Sequence, residues 1–477
     1  MATPALVNAR DWKERLARGG PGWFSLATED TGDVPVRLVF SPELLDELEP
    51  QIYPQIVNAT RFPGAKLVVL TPDAHVGYGV PVGCVLLTDY VEGAVAMGPV
   101  GFDISCGMVA AISDVPDSAA TPDARLRFNR EVMRRVAMGA GERSRTWSQR
   151  LDRAAFESIV RGGAEFFAEK YGSAFHRERA ERDRLPVAGS WQIPWGGPGR
   201  PERGVPQLGS LGGGNHFIEL QRDRETRTLH VQVHTGSRGF GHGLATNYFE
   251  LARAERPGEV ADIDLGYFPP DSPHRADYLN AVAAAGNFAI VNRLLIMDQV
   301  ARVFRAVFGS ELRLLYEISH NLVQREQHPE FGDAWVHRKG ATRAFPAGHP
   351  ALRDTLWAEA GHPVLIPGSN RDSSFILRPA ANAGLAGYSV NHGAGRRLSR
   401  SAAMRSLDQA ATDRDYRRAG IVVNTDGRVP LDEAGAAYKP VRAVVDAVVA
   451  AGLATVEHEL EPLASLKAAD ARHRRRR

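Results

Sequence analysis

Cysteine is almost absent: Cys84 and Cys106 are the two in 477 residues. A disulfide framework is thereby excluded, and a reducing cytoplasm is the expected location. Long apolar runs are missing too. None reaches the ~18 residues of a membrane span, so no membrane is expected as a partner. The N-terminal stretch carries Asp11, Lys13 and Glu14 and no apolar core, so it does not read as a secretion signal. An excess of one charge is also lacking: 58 basic against 56 acidic side chains leave a net +2. Nothing global demands a polyanionic partner, so any nucleic-acid surface must be local. No repeat of fixed period is visible, and neither the P-loop nor the dinucleotide pattern occurs.

What the chain does have is an ordinary apolar content, 43%, enough for a sizeable core, and 47 glycines. Length alone suggests about three domains. Many of the glycines fall in short motifs spread along the chain, which argues for one shared site instead. In Asn391-His392-Gly393-Ala394-Gly395-Arg396 a histidine stands before a turn of small residues, with Arg397 and Arg400 beyond. Small residues let a ligand approach the backbone, and arginine matches phosphate oxygens. His392 could bind a metal, move a proton or attack phosphorus; a turn with solvated arginines is the plainer alternative.

Other histidines occupy similar places. His216 follows three glycines and Asn215, and precedes a strand that carries Glu219. His234 ends a strand at 229–233, before Gly236 and Arg238. His320 ends a strand at 312–318. Pro72-Asp73-Ala74-His75, after a strand at 66–70, reads as a loop lining a site. Asp103 and Cys106 lie three apart in a Gly-bounded turn and can converge on one metal or bridge two. Nitrogen, oxygen and a single thiolate suit Mn²⁺, Zn²⁺ or Co²⁺. His337 to Ala344 reads as a short basic loop whose Arg338, Lys339 and Arg343 could hold phosphates. Ser369 and Ser374 offer hydroxyls to a nucleotide.

The remaining stretches read as scaffold. Residues 36–40 suit a strand and 42–48 a short helix. Residues 123–171 read as helical with a break at 138–141, and 276–308 as a core helix. Residues 401–411 and 440–451 also read as helical, with Tyr438 just before the second and Lys467 ending the last ordered stretch. Residues 173–207 read as a surface excursion, with the charge run 176–184 a solvated helix face. The basic end, 468–477, is expected to be a disordered tail adding nonspecific RNA affinity.

PDAHVGYGVPVG, GFDISCG, QLGSLGGGNHFIE, HTGSRGFG, SHN, HRKGATRAFP, PGS and HGAGR, in that order, resemble the RtcB family of GTP-dependent RNA-splicing ligases over about 66–467. The resemblance implies an α/β (α+β) fold: one domain, 1–467, with mixed sheets and surrounding helices around a central metal and nucleotide pocket. It implies two Mn²⁺ ions on Asp103, Cys106, His216, His234 and His320, with Cys106 bridging. It implies His392 as the nucleophile that takes GMP from GTP, with Asp73 in an active-site motif. Asn215, Glu219, Ser369, Ser374, Gly393, Ala394, Gly395, Tyr438 and Lys467 fall where the family contacts guanylate. Arg238, Arg338, Lys339, Arg396 and Arg400 are the expected RNA or phosphate contacts.

The implied partners are GTP and RNA with 3′-phosphate or 2′,3′-cyclic phosphate and 5′-hydroxyl ends, with an archease-type activator as a further protein partner. A monomer is expected. A phosphoesterase that no longer ligates and a non-catalytic RNA-end binding protein are the competing readings. Three places depart from the family's usual wording. Asn370-Arg371-Asp372 replaces a small, Gly-containing stretch after PGS, Gly213 stands where serine is common, and Ala468 follows Lys467 in place of glycine.

Overall fold

The structure, a computed structural model, describes residues 6–147, 151–172, 184–257 and 262–468. The tail 469–477 and most of the charge run at 176–184 lie outside the described residues. The described chain combines helices with two large sheets, an α/β (α+β) arrangement.

Alternating and apolar runs make the strands, and the sheets collect them in an order unlike their order in sequence. The first sheet has seven strands: Leu16–Gly20, Trp23–Leu26, Val36–Val39, Ala65–His75, Val82–Asp89, Gly332–Lys339 and Asn321–His328. Only Val36–Val39 and Ala65–His75 pair in parallel within it. The second has Arg313–Ser319, Gly107–Pro116, Thr228–Thr235, Phe217–Asp223, Ala454–Leu466, Ser374–Pro379 and Val364–Ile366, antiparallel throughout, with Val422–Val423 joined in parallel to Ala454–Leu466.

His320 is the single residue between Arg313–Ser319 of one sheet and Asn321–His328 of the other. The chain crosses between the sheets at that histidine, so the two sheets meet beside it.

The helix Arg275–Phe308 is the centre of the largest core, packed on the helices Arg153–Tyr171 and Arg238–Glu255 and on the second sheet. It ends at Gly309, whose φ of 74° suits glycine in a left-handed cap. By length and composition this helix is apolar enough to cross a membrane, which counting uninterrupted apolar runs did not reveal. Some 89% of its most apolar window is buried inside the protein, so its apolar faces are spent on the core.

Three local expectations change. The strand expected at 66–70 runs from Ala65 to His75, so Asp73 and His75 sit on a strand end. The basic loop at 337–344 is instead two strands, Gly332–Lys339 and Ala341–Arg343, turning at Gly340. The excursion at 173–207 is not uniformly solvated: Trp191 and Ile193 are buried in the main core. In both sheet cases tertiary pairing overrode a local turn signal.

Candidate active site

Four adjacent strands of the second sheet bring the metal-type ligands together. Gly107 pairs with both Ser319 and Thr235, and Phe217 pairs with His234. His320, Cys106, His234 and His216 therefore line up across one edge of that sheet. Cys106 Sγ is 3.2 Å from His234 Nε2 and 3.5 Å from His216 Nε2. His234 Nε2 is 3.2 Å from His320 Nε2, and His216 Nε2 is 3.0 Å from Asp103 Oδ2. The atoms form two triads sharing one sulfur: Cys106, His234 and His320, and Asp103, Cys106 and His216.

The donor set fits divalent cations. His216 Nδ1 faces the Leu211 carbonyl at 2.9 Å and His234 Nδ1 the Asn215 carbonyl at 3.1 Å. Each ring is thus turned to present Nε2, the usual outer-shell device of a ligating histidine. Burial, then neighbouring imidazoles, push His234 and His320 well below the ordinary histidine range, so both are neutral and free to ligate. Burial and the Asp103 carboxylate push the Cys106 thiol up. A thiolate there needs a cation beside it, which a metal supplies.

Under this edge lies a device that reading the sequence missed. Arg293, from the middle of the long helix, is fully buried and paired with buried Glu317. Its Nη1 donates to the carbonyls of Ser105 (2.6 Å) and Thr235 (3.0 Å), and its Nη2 to Ser319 Oγ (2.8 Å). Those residues adjoin Cys106, His234 and His320. One guanidinium ties together three ligand-bearing segments. A lone arginine in an apolar helix gave no local signal for this role.

His392 follows the short strand Ser389–Asn391, and its ring is 5.1 Å from that of His320 between centroids. Its Nδ1 lies 2.7 Å from Asp73 Oδ2. That carboxylate also accepts the backbone N–H groups of His392 (3.1 Å) and Gly393 (3.2 Å), while Oδ1 accepts the Thr71 hydroxyl at 2.6 Å. Burial pulls the Asp73 carboxyl upward, but the neighbouring His392 ring and these bonds outweigh it and hold Asp73 ionised. Gly395 has a φ of 74°, and a Cβ there would lie 2.2 Å from the Asp73 carbonyl, so the HGAGR turn depends on glycine to close over this strand. Lys439 donates to the carbonyls of Pro72 and Ala74 and fixes the strand end from behind.

A cavity of about 870 Å³ joins His392 and the metal-type cluster to a polar end. Asn215, Glu219, Ser369, Gly393, Ala394, Gly395, Tyr438 and Lys467 line it, as do Lys339, Arg396 and Arg400. Burial pushes the Glu219 carboxyl up to about 7, against the pull of Gln221 and Lys467. Ser374 stands behind the wall: its Oγ accepts Gln221 Nε2 and the Gly368 N–H, bracing the Gly368–Ser369 turn. A second unforeseen residue, Glu433, organises this end. It is buried and takes Arg396, Arg400, Lys467 and the Tyr438 hydroxyl. Burial raises its carboxyl, but Lys467 and Arg400 lead the groups that bring it down to about 2.

The basic residues divide. Arg338 is buried against Glu326, Ser389 and the Gly387 carbonyl, outside the cavity lining, so its fork is already filled and the expected phosphate contact is not available. Arg396 donates to Leu398 O, Asp432 O and Glu433, and so holds its own loop. Lys339 reaches the cavity but donates to Tyr78 O and Val80 O. Arg400 is half exposed at the mouth, and Arg238 lies partly buried near Asp103 and Cys106 and donates to the Gly139 carbonyl.

The family model described as "tRNA-splicing ligase RtcB" matches residues 55–468. The chain belongs to the RtcB family. "tRNA-splicing ligase RtcB" of Pyrobaculum aerophilum is 35% identical over 471 residues, covering 91% of this chain and 95% of that protein. "RNA-splicing ligase RtcB" of Mycobacterium tuberculosis is 37% identical over 446 residues, 87% of this chain and all of that one. The protein so named from Thermococcus kodakarensis, "tRNA-splicing ligase RtcB", is 33% identical over 464 residues, 91% and 95% of the two chains. Apart from Glu49, every residue that lines the cavity, from His75 to Lys467, falls within the RtcB match.

Proposed function

We propose that this chain is an RNA ligase of the tRNA-splicing kind, which uses GTP to join RNA 3′-phosphate or 2′,3′-cyclic phosphate ends to 5′-hydroxyl ends. The observation that carries the reading is the place of His392: between the two ligand triads and the polar end of one cavity, with Asp73 at its Nδ1. Asp103, Cys106 and His216 would hold one divalent cation, and Cys106, His234 and His320 a second, with Mn²⁺ the ion the family resemblance favours and Zn²⁺ or Co²⁺ also accepted by these donors. Bound there, the cations supply Lewis-acid neutralisation of phosphate charge.

His392 does the bond-making. With Nδ1 against Asp73, the free lone pair is on Nε2. Nε2 attacks the α-phosphorus of GTP; the N–P bond forms and the bond to pyrophosphate breaks. Ionised Asp73 stabilises the cationic ring that results, as a carboxylate does for other catalytic imidazoles. An RNA 3′-phosphate oxygen then displaces His392 from phosphorus, and the ring regains its lone pair. The RNA end is now an anhydride. A 5′-hydroxyl attacks it, loses its proton, and GMP leaves. Splitting the joining into displacements through a covalent carrier is the general logic of nucleophilic catalysis. A cyclic phosphate is opened to the 3′-phosphate before these steps.

Glu219, Asn215 and Lys467 receive the guanylate, and Arg238 and Arg400 the RNA phosphates. A phosphoesterase alone would have no use for that receiving end. Reaction in the cytoplasm, by a monomer, with an archease-type activator completes the proposal.

The test is to supply RNA bearing 3′-phosphate and 5′-hydroxyl ends with GTP, Mn²⁺ and an archease-type activator. A joined product is expected, and Cys106→Ala should lose both joining and bound metal, the latter read by elemental analysis. Opening of cyclic phosphates by the metal-loaded protein without any joining would favour the phosphoesterase reading instead.

A further inference from the structure

Of the stretch Asn370-Arg371-Asp372, where the chain departs from its family's usual small residues, Asn370 forms part of the cavity wall. Ser369 Oγ accepts the N–H groups of Arg371 and Asp372, giving a tight turn. Arg371 pairs with Asp415 on the helix Gln409–Arg418. Asn370 is only 3% exposed and faces the cavity near Ser369.

The orientation of its amide is settled by its neighbour. Tyr416 OH accepts the Gly435 N–H at 2.9 Å, so its own proton is directed elsewhere. That proton goes to Asn370 Oδ1, at 2.5 Å. The amide oxygen is therefore turned toward Tyr416, and Nδ2 is turned away. Nδ2 is buried and has no partner among the described residues. A buried donor left unpaired costs about 1–3 kcal/mol unless something else accepts from it. Of the other buried side-chain nitrogens around the cavity, His392 Nδ1 faces Asp73 and the unpaired Nδ1 of His320 belongs to the catalytic end. Asn370 is the one such donor at the polar end.

We propose that Asn370 is a specificity-determining residue, donating from Nδ2 to the 6-carbonyl oxygen of a guanine base. The inference rests on the reading of the polar end as a guanylate site. There Glu219 offers a carboxylate, which suits the ring N–H and exocyclic amine of guanine. The group left over on that edge of the base is O6, an acceptor. Adenine carries an amine at the same position, and two donors would face each other. The site thus rejects adenine by an unpaired contact as well as by a missing one, the stronger form of discrimination.

The experiment compares the affinities of GMP and 6-thio-GMP for the full-length, Mn²⁺-loaded protein by calorimetry. The two ligands share the N–H edge and differ at the 6-position, where sulfur is the poorer acceptor. The wild type should prefer GMP by roughly 10-fold, the scale of one hydrogen bond in a buried site. Asn370→Leu should bring the ratio close to one. Asn370→Asp, nearly the same shape, should also lose the preference, which guards against a packing defect in the leucine variant. Glu219→Gln should weaken both ligands and leave their ratio standing. A wild-type ratio preserved in both Asn370 variants would overturn the proposal while leaving the guanylate site intact. No binding of either nucleotide by the wild type would overturn the guanylate site, and this inference with it.

Discussion

The two ends of the cavity are built in different ways. The metal end is made from the edges of adjacent strands in one antiparallel sheet. Its ligands are aimed by backbone carbonyls, and Arg293 locks three of its segments from beneath. The polar end, the proposed guanylate site, is made from turns that neighbour one another only in the fold, at 367–374, 391–400 and 430–439. A single buried carboxylate, Glu433, holds two of them to the last strand through ion pairs. One end is fixed by strand register and the other by charge. A centre that must hold cations in constant geometry gains from the first. A site that admits and releases nucleotide and RNA, as proposed for this end, tolerates the second, since loops open more easily than sheets.

The difference can be broken from the metal side first. Arg293→Met leaves Glu317 buried and unpaired, and removing one member of such a pair costs about 3–5 kcal/mol. Urea unfolding should show that loss, and the apparent metal affinity should fall by about 10–100-fold, as for other supports of metal ligands. Arg293→Met combined with Glu317→Leu should recover stability without recovering the affinity. Recovery of both would mean that the three tethered segments need no tether.

Glu433→Gln is the corresponding change at the other end. Metal content should stay as in the wild type, while GMP binding weakens by about 10-fold through loss of the charge-assisted bonds that seat Lys467 and Tyr438. The same carboxylate gives a pH signature. Its folded value of about 2 lies below its ordinary 4.5, so its stabilising effect is complete above 4.5 and fades as the pH falls through 2. Its loss is worth on the order of 3 kcal/mol. Acid titration of stability in wild type and Glu433→Gln should therefore diverge above pH 2–4.5 and converge below it. A metal loss in Glu433→Gln as large as in Arg293→Met would show that the two ends are not separate.

The smallest effect belongs to Glu219, whose carboxyl is pushed up to about 7 by burial. Here the sign reverses. Between its ordinary 4.5 and 7 the folded state holds a proton that the unfolded state has released, so this group makes stability fall as pH rises through that window. Glu219→Gln should flatten that slope and raise the melting temperature at pH 8 by about 2–4 °C. An unchanged slope would place the titration elsewhere.

The same contrast explains what could be read from the chain. The metal-type ligands were legible because each stands beside a turn signal at a strand end, where His216, His234 and His320 stood out. The long helix, the strand before Asp73 and the HGAGR turn were legible for the same local reasons. Arg293, Glu317, Glu433 and Lys439 were not. Each is a lone charged residue whose partners lie far away in sequence or whose burial is set by packing; Glu433 meets Arg400 and Lys467 only when the loops fold over the last strand. Arg338 failed in the opposite sense. Its basic neighbourhood suggested phosphate, but strand pairing turned it inward onto Glu326. Pattern locates residues that chemistry clusters in a motif, and only the fold shows which charges are already used.

The central claim is that His392 carries GMP. Incubating the protein with α-³²P-labelled GTP, Mn²⁺ and an archease-type activator, then separating it under denaturing conditions, tests this directly. The account predicts an acid-labile labelled band that requires Mn²⁺ and vanishes in His392→Ala, with metal content retained in that variant. A label that persists in His392→Ala, or a metal-loaded wild type that takes no label, would contradict it.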